Sequence, residues 1–241
     1  MPRGARTRSF EVSEASQSDL YTLVWYNVMS KGEIDMFARY RRNARKPEGL
    51  GGRLILTRMN RGGHADLSEW GFSLFPDVYC GRALDVGCGG GANVKRLLKR
   101  FDGAKVCGLD HSDVSVAKTL RHNRGAVKDG RCEVALGDVT AMPYADGVFD
   151  VVTAFETVYF WQPIGRAFAE IFRVLKEGGV FMICNDADGE TSDWDEIEKQ
   201  IGDMKVYTAA QLQNEFERAG FNNIDVHRRS GTSCLCVIAR K

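Results

Sequence analysis

Leu84-Asp85-Val86-Gly87-Cys88-Gly89-Gly90-Gly91-Ala92 is a glycine-rich bend between two apolar segments of different period. Before it, Arg82–Val86 is a strand-length apolar run; after it, Val94, Leu97, Leu98 and Phe101 share one helical face. Gly87, Gly89 and Ala92 fit the G-x-G-x-x-[G/A] pattern in the strand–turn–helix setting that the pattern requires. Residues without side chains let the backbone turn sharply and let a ligand lie against it, beside the partial positive charge of a helix start. Similar bends also occur for packing alone, and Cys88 reads as a small space-filling contact rather than a nucleophile.

The same alternation continues to the end of the chain. Residues 104–109 predict a second strand, followed by a helix that Ser112 caps and whose inner face is Val116, Ala117 and Leu120. Cys132–Leu136 and residues 148–154 predict further strands. Ile164, Ala167, Phe168, Ile171 and Leu175 mark a helix ended by Gly178-Gly179, before a strand over residues 180–184 that buries Cys184. Trp194, Ile197 and Ile201 suggest another helix. Thr208 and Gln211 form a capping-box pattern ahead of Leu212 and Phe216, and Gly220 closes that helix. Residues 224–228 and 234–239 then predict an antiparallel hairpin. Strands alternating with helices give an α/β fold: a Rossmann-like, mostly parallel sheet with helices on both faces and ligand-binding loops along one edge.

Three carboxylates stand at predicted strand ends. Asp85 would repel a pyrophosphate but attract an ammonium group. Asp110 lies about twenty residues beyond the glycines, a spacing that suits acceptance of both ribose hydroxyls. Asp138, in Gly137-Asp138-Val139, offers an acceptor to an exocyclic amine. Each also has a plain structural reading, Asp110 as a helix cap and Asp138 as the start of a turn.

The ordered set of Leu84–Gly91, Gly108-Leu109-Asp110, Gly137-Asp138 with Met142-Pro143-Tyr144, Phe149-Asp150-Val151-Val152 and residues 173–179 closely resembles the class I S-adenosylmethionine-dependent methyltransferases. The likeness covers roughly residues 81–241. It implies a seven-stranded sheet whose last strand is antiparallel, with S-adenosylmethionine as cofactor. It also implies that Asp85, Gly87, Cys88, Gly89 and Gly91 meet the methionine part. Asp110 would hold the ribose, His111 and Val139 would flank the adenine, and Gly137-Asp138 would meet its amine. Phe155 and Glu156 would face the sulfonium side. Glu156 and Tyr159 are candidates to orient or deprotonate an acceptor, while Phe160 and Trp161 suit either the pocket or the core. The Asn/Asp-Pro-Pro-Tyr/Phe motif of DNA and protein-glutamine methyltransferases is absent, as is a Pro-Cys nucleophile.

Residues 1–18 read as a mobile arm, residues 19–80 as a helical cap or lid, and residues 81–241 as the cofactor domain. Leu20, Leu23, Val24 and Val28 recur at helical spacing, as do Leu67, Trp70, Gly71 and Leu74, and Pro47 opens a helix between them. Residues 59–71 more weakly resemble a poorly characterised subset of the same enzymes, which makes His64 a candidate base or substrate contact and Trp70 a cavity wall. Tyr21, Trp25 and Tyr26 are candidates for the lid. The basic run over residues 39–46 is by default a solvated helix face, with an anionic ligand as the sharper reading.

The chain has 241 residues with a formal net charge of +1, which gives no general attraction to nucleic acid or acidic membranes. The longest apolar runs are far short of a membrane span. Seven cysteines without CxxC spacing read as reduced thiols of a cytosolic protein, with no metal site. The expected function is therefore methyl transfer to a small molecule. A nicotinamide-dependent oxidoreductase and a non-catalytic cofactor-binding module are the alternatives.

Overall fold

A computed structural model describes residues 63–190, 198 and 204–241. Fifteen elements-worth of chain reduce to one sheet and two helical layers. The strands are β1 (Arg82–Val86), β2 (Lys105–Asp110), β3 (Cys132–Leu136), β4 (Phe149–Phe155), β5 (Leu175–Asn185), β6 (Asn222–Arg228) and β7 (Leu235–Arg240). They lie in the order β3-β2-β1-β4-β5-β7-β6, with β7 antiparallel to both its neighbours and the first five parallel. The seven-stranded sheet and its closing hairpin are thus as expected. The arm, the basic run, and the helices placed at Leu20–Val28, at Pro47 and at Trp194–Ile201 fall outside the described residues or almost wholly so.

The central strands read as continuous apolar runs because helices cover both faces. One layer holds α1 (Gly63–Leu74), α2 (Ala92–Arg100), α3 (Asp113–His122) and the short α4 (Arg124–Lys128). Leu67, Val94 and Leu97 are buried there with Val106, Val151 and Met182 of the sheet. The other layer holds α5 (Ile164–Val174) and α6 (Ala209–Ala219), where Phe168, Phe181, Phe216 and Phe221 pack ring against ring at 4.9–5.9 Å. The capping box is present, with Thr208 Oγ1 accepting from Gln211 N–H and Gln211 Oε1 from Thr208 N–H. Ser112 caps α3 as expected, accepting from Ser115 N–H at 3.4 Å.

Two local expectations are corrected. The helix α5 stops at Val174, and β5 begins directly at Leu175, not after the glycine pair. Leu175 already pairs with Phe149, and pairing resumes only at Val151–Val180, so Gly178-Gly179 lies in an irregular stretch inside the strand. The face that α3 turns inward is also polar. Ser115 and Thr119 are buried, whereas Ala117 is exposed. This follows from what α3 covers, which is the polar backbone of the glycine bend. Thr119 Oγ1 donates to Gly89 O (2.9 Å), and Asn123 Nδ2 donates to Gly91 O and Thr119 O (both 3.0 Å).

Asn123 is buried, so its removal takes one donor from the Gly91 carbonyl, which keeps Lys95 N–H (3.1 Å), and the side-chain donor from the Thr119 carbonyl. Asn123→Ala is expected to lower the unfolding free energy by about 1–3 kcal/mol, read from urea denaturation. A change within about 0.5 kcal/mol, the usual surface effect, would mean the clamp on the bend is dispensable.

Candidate active site

Parallel strands deliver their C-terminal ends to one edge, and the bend after β1 lies at its centre. Gly87, Gly89 and Gly91 take φ values of 72°, 52° and 80°, a region that side chains disfavour. Gly87 and Cys88 N–H both donate to Leu109 O (2.8 and 3.1 Å), tying the bend to β2. A Cβ on Gly87 would lie 2.2 Å from Thr157 Oγ1, so bare backbone is obligatory there.

Asp110 ends β2 and is 6% exposed. Its two carboxylate oxygens each accept one backbone N–H, Oδ2 from Gly89 and Oδ1 from Ser112, both at 2.9 Å. Burial raises its carboxyl above the ordinary value, and those two N–H groups pull it back. Asp110 is therefore not the cap of α3, a role that Ser112 takes. Each oxygen keeps one further lone pair for a ligand donor. His111 follows it, 42% exposed, with Nδ1 3.8 Å from Asp110 Oδ1.

Asp138, beyond β3, accepts at Oδ1 from Thr140 N–H and Thr140 Oγ1, both at 2.7 Å. Those bonds hold its carboxyl below the ordinary range. The turn-starting role anticipated for it is real, and its other oxygen remains available as an acceptor.

An open cleft runs along this edge. Its wall includes Gly87, Gly89, Asp110, His111, Gly137, Asp138, Val139, Phe155 and Glu156, nine of the residues picked from the sequence. It also includes Ser115, Thr140, Thr157, Phe160, Trp161 and Gln162. Asp85, Cys88, Gly91 and Tyr159 do not line it. Gly91 is enclosed by α3, where a Cβ would lie 2.7 Å from Asn123 Nδ2. Cys88 is buried with Sγ 3.6 Å from Thr119 Oγ1, and burial pushes its thiol well above the ordinary value, which agrees with a packing role. Tyr159 is buried behind Glu156, its hydroxyl donating to Glu156 Oε1 (3.1 Å) and accepting from Ala187 N–H (3.2 Å). His64 belongs to α1, but its side chain lies outside the described residues. Trp70 packs against the core layer of α1 and is not part of the cleft wall.

Ser115 and Thr157 carried no sequence signal of their own. Ser115 faces the cleft only because α3 turns a polar side inward, and its buried Oγ lies beside the Asp110 carboxylate. Thr157 packs over Gly87 while accepting from Trp161 Nε1 (3.2 Å). Trp161 does both things weighed for it: it lines the cleft and stacks on Phe181 at 6.4 Å.

Asp85 lies beneath the bend, 2% exposed, accepting from Thr153 Oγ1 (2.8 Å). Burial first, and the charge of Asp110 after it, push its carboxyl up from 3.8 to about 7. Below about pH 4 this group is protonated in folded and unfolded chains alike. As pH rises towards 7 only the unfolded chain gives up the proton, so stability falls through that window and levels off above it. The expected loss from Asp85 is roughly 2–4 kcal/mol between about pH 4 and about pH 8. Asp85→Asn should flatten that part of the profile in urea titrations, and an unchanged slope would exonerate Asp85.

Residues 84–183 match the family described as "Methyltransferase domain". A sterol 24-C-methyltransferase of Yarrowia lipolytica is 31% identical over 152 residues, 58% of this chain and 39% of that one. A 24-methylenesterol C-methyltransferase 2 of Oryza sativa subsp. japonica is 37% identical over 101 residues, 42% of this chain and 28% of that protein. The chain thus spans well under half the length of either curated relative. Among solved structures, a Haemonchus contortus phosphoethanolamine N-methyltransferase 2 with S-adenosylhomocysteine superposes with TM-score 0.68 at 18% identity, covering 84% of this chain and 60% of that one. A geranyl diphosphate C-methyltransferase from Streptomyces coelicolor gives TM-score 0.65 at 14% identity, covering 83% and 87%. The solved structures share the fold, and the family match adds the sequence of the cleft-forming half. Residues 84–183 thus carry the sequence pattern of a methyltransferase domain, on a fold that the chain shares with these solved methyltransferases.

Proposed function

We propose that this protein transfers a methyl group from S-adenosylmethionine to a small-molecule acceptor by in-line displacement, releasing S-adenosylhomocysteine. The observation that carries the reading is the row of acids after β2, β3 and β4 (Asp110, Asp138 and Glu156) along one cleft floored by bare glycine backbone. The residues present suit the cofactor. Asp110 and Asp138 stand in the wall as carboxylate acceptors, and Gly87 and Gly89 present bare backbone between β1 and α2.

In this reading Asp110 takes the ribose hydroxyls on its remaining lone pairs. Asp138 accepts from the adenine amine, with His111 and Val139 beside the ring. Gly87 and Gly89 carry the amino-acid portion, and Asp85 beneath the bend favours its ammonium through space. When bound, the cofactor supplies an already activated methyl group on a sulfonium. The chain's own contribution is then alignment and exclusion of water. Phe155, Phe160 and Trp161 bring aromatic surface that favours a nearby cation by up to about 2 kcal/mol when desolvated. The catalytic candidates are Glu156, which is in the wall, Tyr159, which braces Glu156, and His64.

Residues 19–80 belong to the proposal as a lid, supported by their described end. Phe72 of α1 stacks on Phe155 of the wall at 5.2 Å, and Arg229 of the hairpin bonds Asp66 at 2.6 Å. A small acceptor is favoured by the balanced charge and by relatives whose names specify sterols. Seven unpaired thiols favour a reducing, cytosolic setting. A nicotinamide enzyme would use the same glycines and Asp110, but it leaves Asp138 and the antiparallel β7 unexplained.

Isothermal titration with S-adenosylhomocysteine tests the reading. Wild-type protein is expected to bind it and to give no heat with NAD. Asp110→Ala should weaken binding by roughly 10–100-fold, the loss of charge-assisted hydrogen bonds to two hydroxyls. Binding of NAD alone would overturn the assignment. Cofactor binding without turnover over a broad acceptor panel would instead favour a non-catalytic module.

A further inference from the structure

Glu156 is the residue just past β4, and Asp186 is the residue just past β5, the neighbouring strand. Glu156 takes φ 58°, left-handed backbone that disfavours a non-glycine residue. Its N–H donates to Cys184 O (3.0 Å), which fixes the strained residue against β5. Its Oε1 accepts from Tyr159 Oη and from the N–H of Asp186 (2.5 Å). Tyr159 Oη also lies 3.3 Å from Asp186 Oδ1, and Ser233 Oγ holds the Asp186 carbonyl at 2.7 Å. Two carboxyl groups are thereby fastened side by side, with side-chain hydrogen bonding between them. Burial, and after it the charge of Asp186, push Glu156 well above the ordinary carboxylate value. Neighbouring carboxylates cannot both ionise cheaply, so burial and the Asp186 charge favour the protonated form of Glu156.

The two acids do not stand alone. Glu156 is part of the wall of the cleft, which it shares with the aromatic rings of Phe160 and Trp161. A single negative charge beside aromatic faces matches a monocation. We propose that Glu156 and Asp186 are an acid pair that receives a protonated amine as the methyl acceptor and takes its proton; this deepens the methyl-transfer reading and rests on it. Glu156 meets the acceptor, and Asp186 is a positioning residue that acts through it.

The step balances with these groups alone. An acceptor ammonium gives one proton to the pair, which then holds two protons and no charge. The freed nitrogen lone pair forms the N–C bond to the methyl carbon while the C–S bond breaks and its electrons pass to sulfur. The products are a neutral thioether and an N-methylammonium, and the extra proton leaves to solvent through the exposed Asp186.

Sinefungin tests this without a known acceptor, because it carries an ammonium where the cofactor carries the methyl sulfonium. Wild-type protein is expected to bind sinefungin at least roughly tenfold more tightly than S-adenosylhomocysteine in calorimetry. Glu156→Gln and Asp186→Asn should each bring that ratio to within about twofold, with S-adenosylhomocysteine affinity itself changed less than about threefold. The retained affinity reports that each variant is folded. A wild-type ratio near one, or a preference that survives in both variants, overturns the amine assignment and leaves the methyltransferase reading intact. Failure of wild-type protein to bind S-adenosylhomocysteine would instead sink the methyltransferase reading and the acid pair's role with it.

Discussion

The carboxylate of Asp110 is the joint on which the cleft turns. One oxygen accepts from the glycine bend after β1 and the other from the start of α3, so a single side chain holds two loops at a common distance. Neither loop has much else to fix it. Cys88 is the bend's one side chain, and α2 starts without a side-chain cap. The clamp is completed from the opposite side by Thr119 and Asn123, which donate to the bend's carbonyls. Donors and acceptors of the glycine backbone are thus satisfied by the Leu109 carbonyl and by the side chains of Asp110, Thr119 and Asn123, leaving one surface bare. Buried backbone groups demand partners, and here the partners are placed so that a ligand-sized opening survives.

Acids recur at the ends of successive strands, yet their surroundings give them different states. Asp138 is exposed and bonded by Thr140, so it stays ionised. Asp85 is sealed beneath the bend with one hydroxyl for company, and its proton is released only near neutrality. Glu156 is fastened against Asp186, and burial together with that neighbouring charge favours its protonated form. Identical chemistry in the sequence becomes an acceptor, a buried charge reservoir and a proton-holding acid, according to burial and neighbours. The amine acceptor proposed above is a consequence of that last state, since one negative charge beside a protonated acid is matched by one cation.

Much of the fold was legible because its signals are local. A parallel strand buried on both faces must be apolar throughout, and a capping box or a glycine bend is written in four to six consecutive residues. The failures were equally local in origin. Gly178-Gly179 looked like a helix stop because glycine usually is one, but Leu175 had already been recruited into the sheet by Phe149. The inner face of α3 was assigned to its apolar residues, since periodicity assumes that a helix covers a hydrophobic surface. This one covers peptide carbonyls, so Ser115 and Thr119 go inside.

The order of residues alone determined the glycine bend, the spacing from it to Asp110, and the alternation that makes a mostly parallel sheet. These depend on backbone sterics and on hydrophobic period, which act between neighbours in the chain. Only the tertiary structure decided that Asp85, Cys88 and Gly91 sit behind the wall while Ser115 and Thr157 form part of it. It alone brought Asp186 against Glu156, thirty residues away in the chain. Pairing of β4 with β5 sets that contact, and a register between strands is a property of the packed sheet that neither segment encodes by itself.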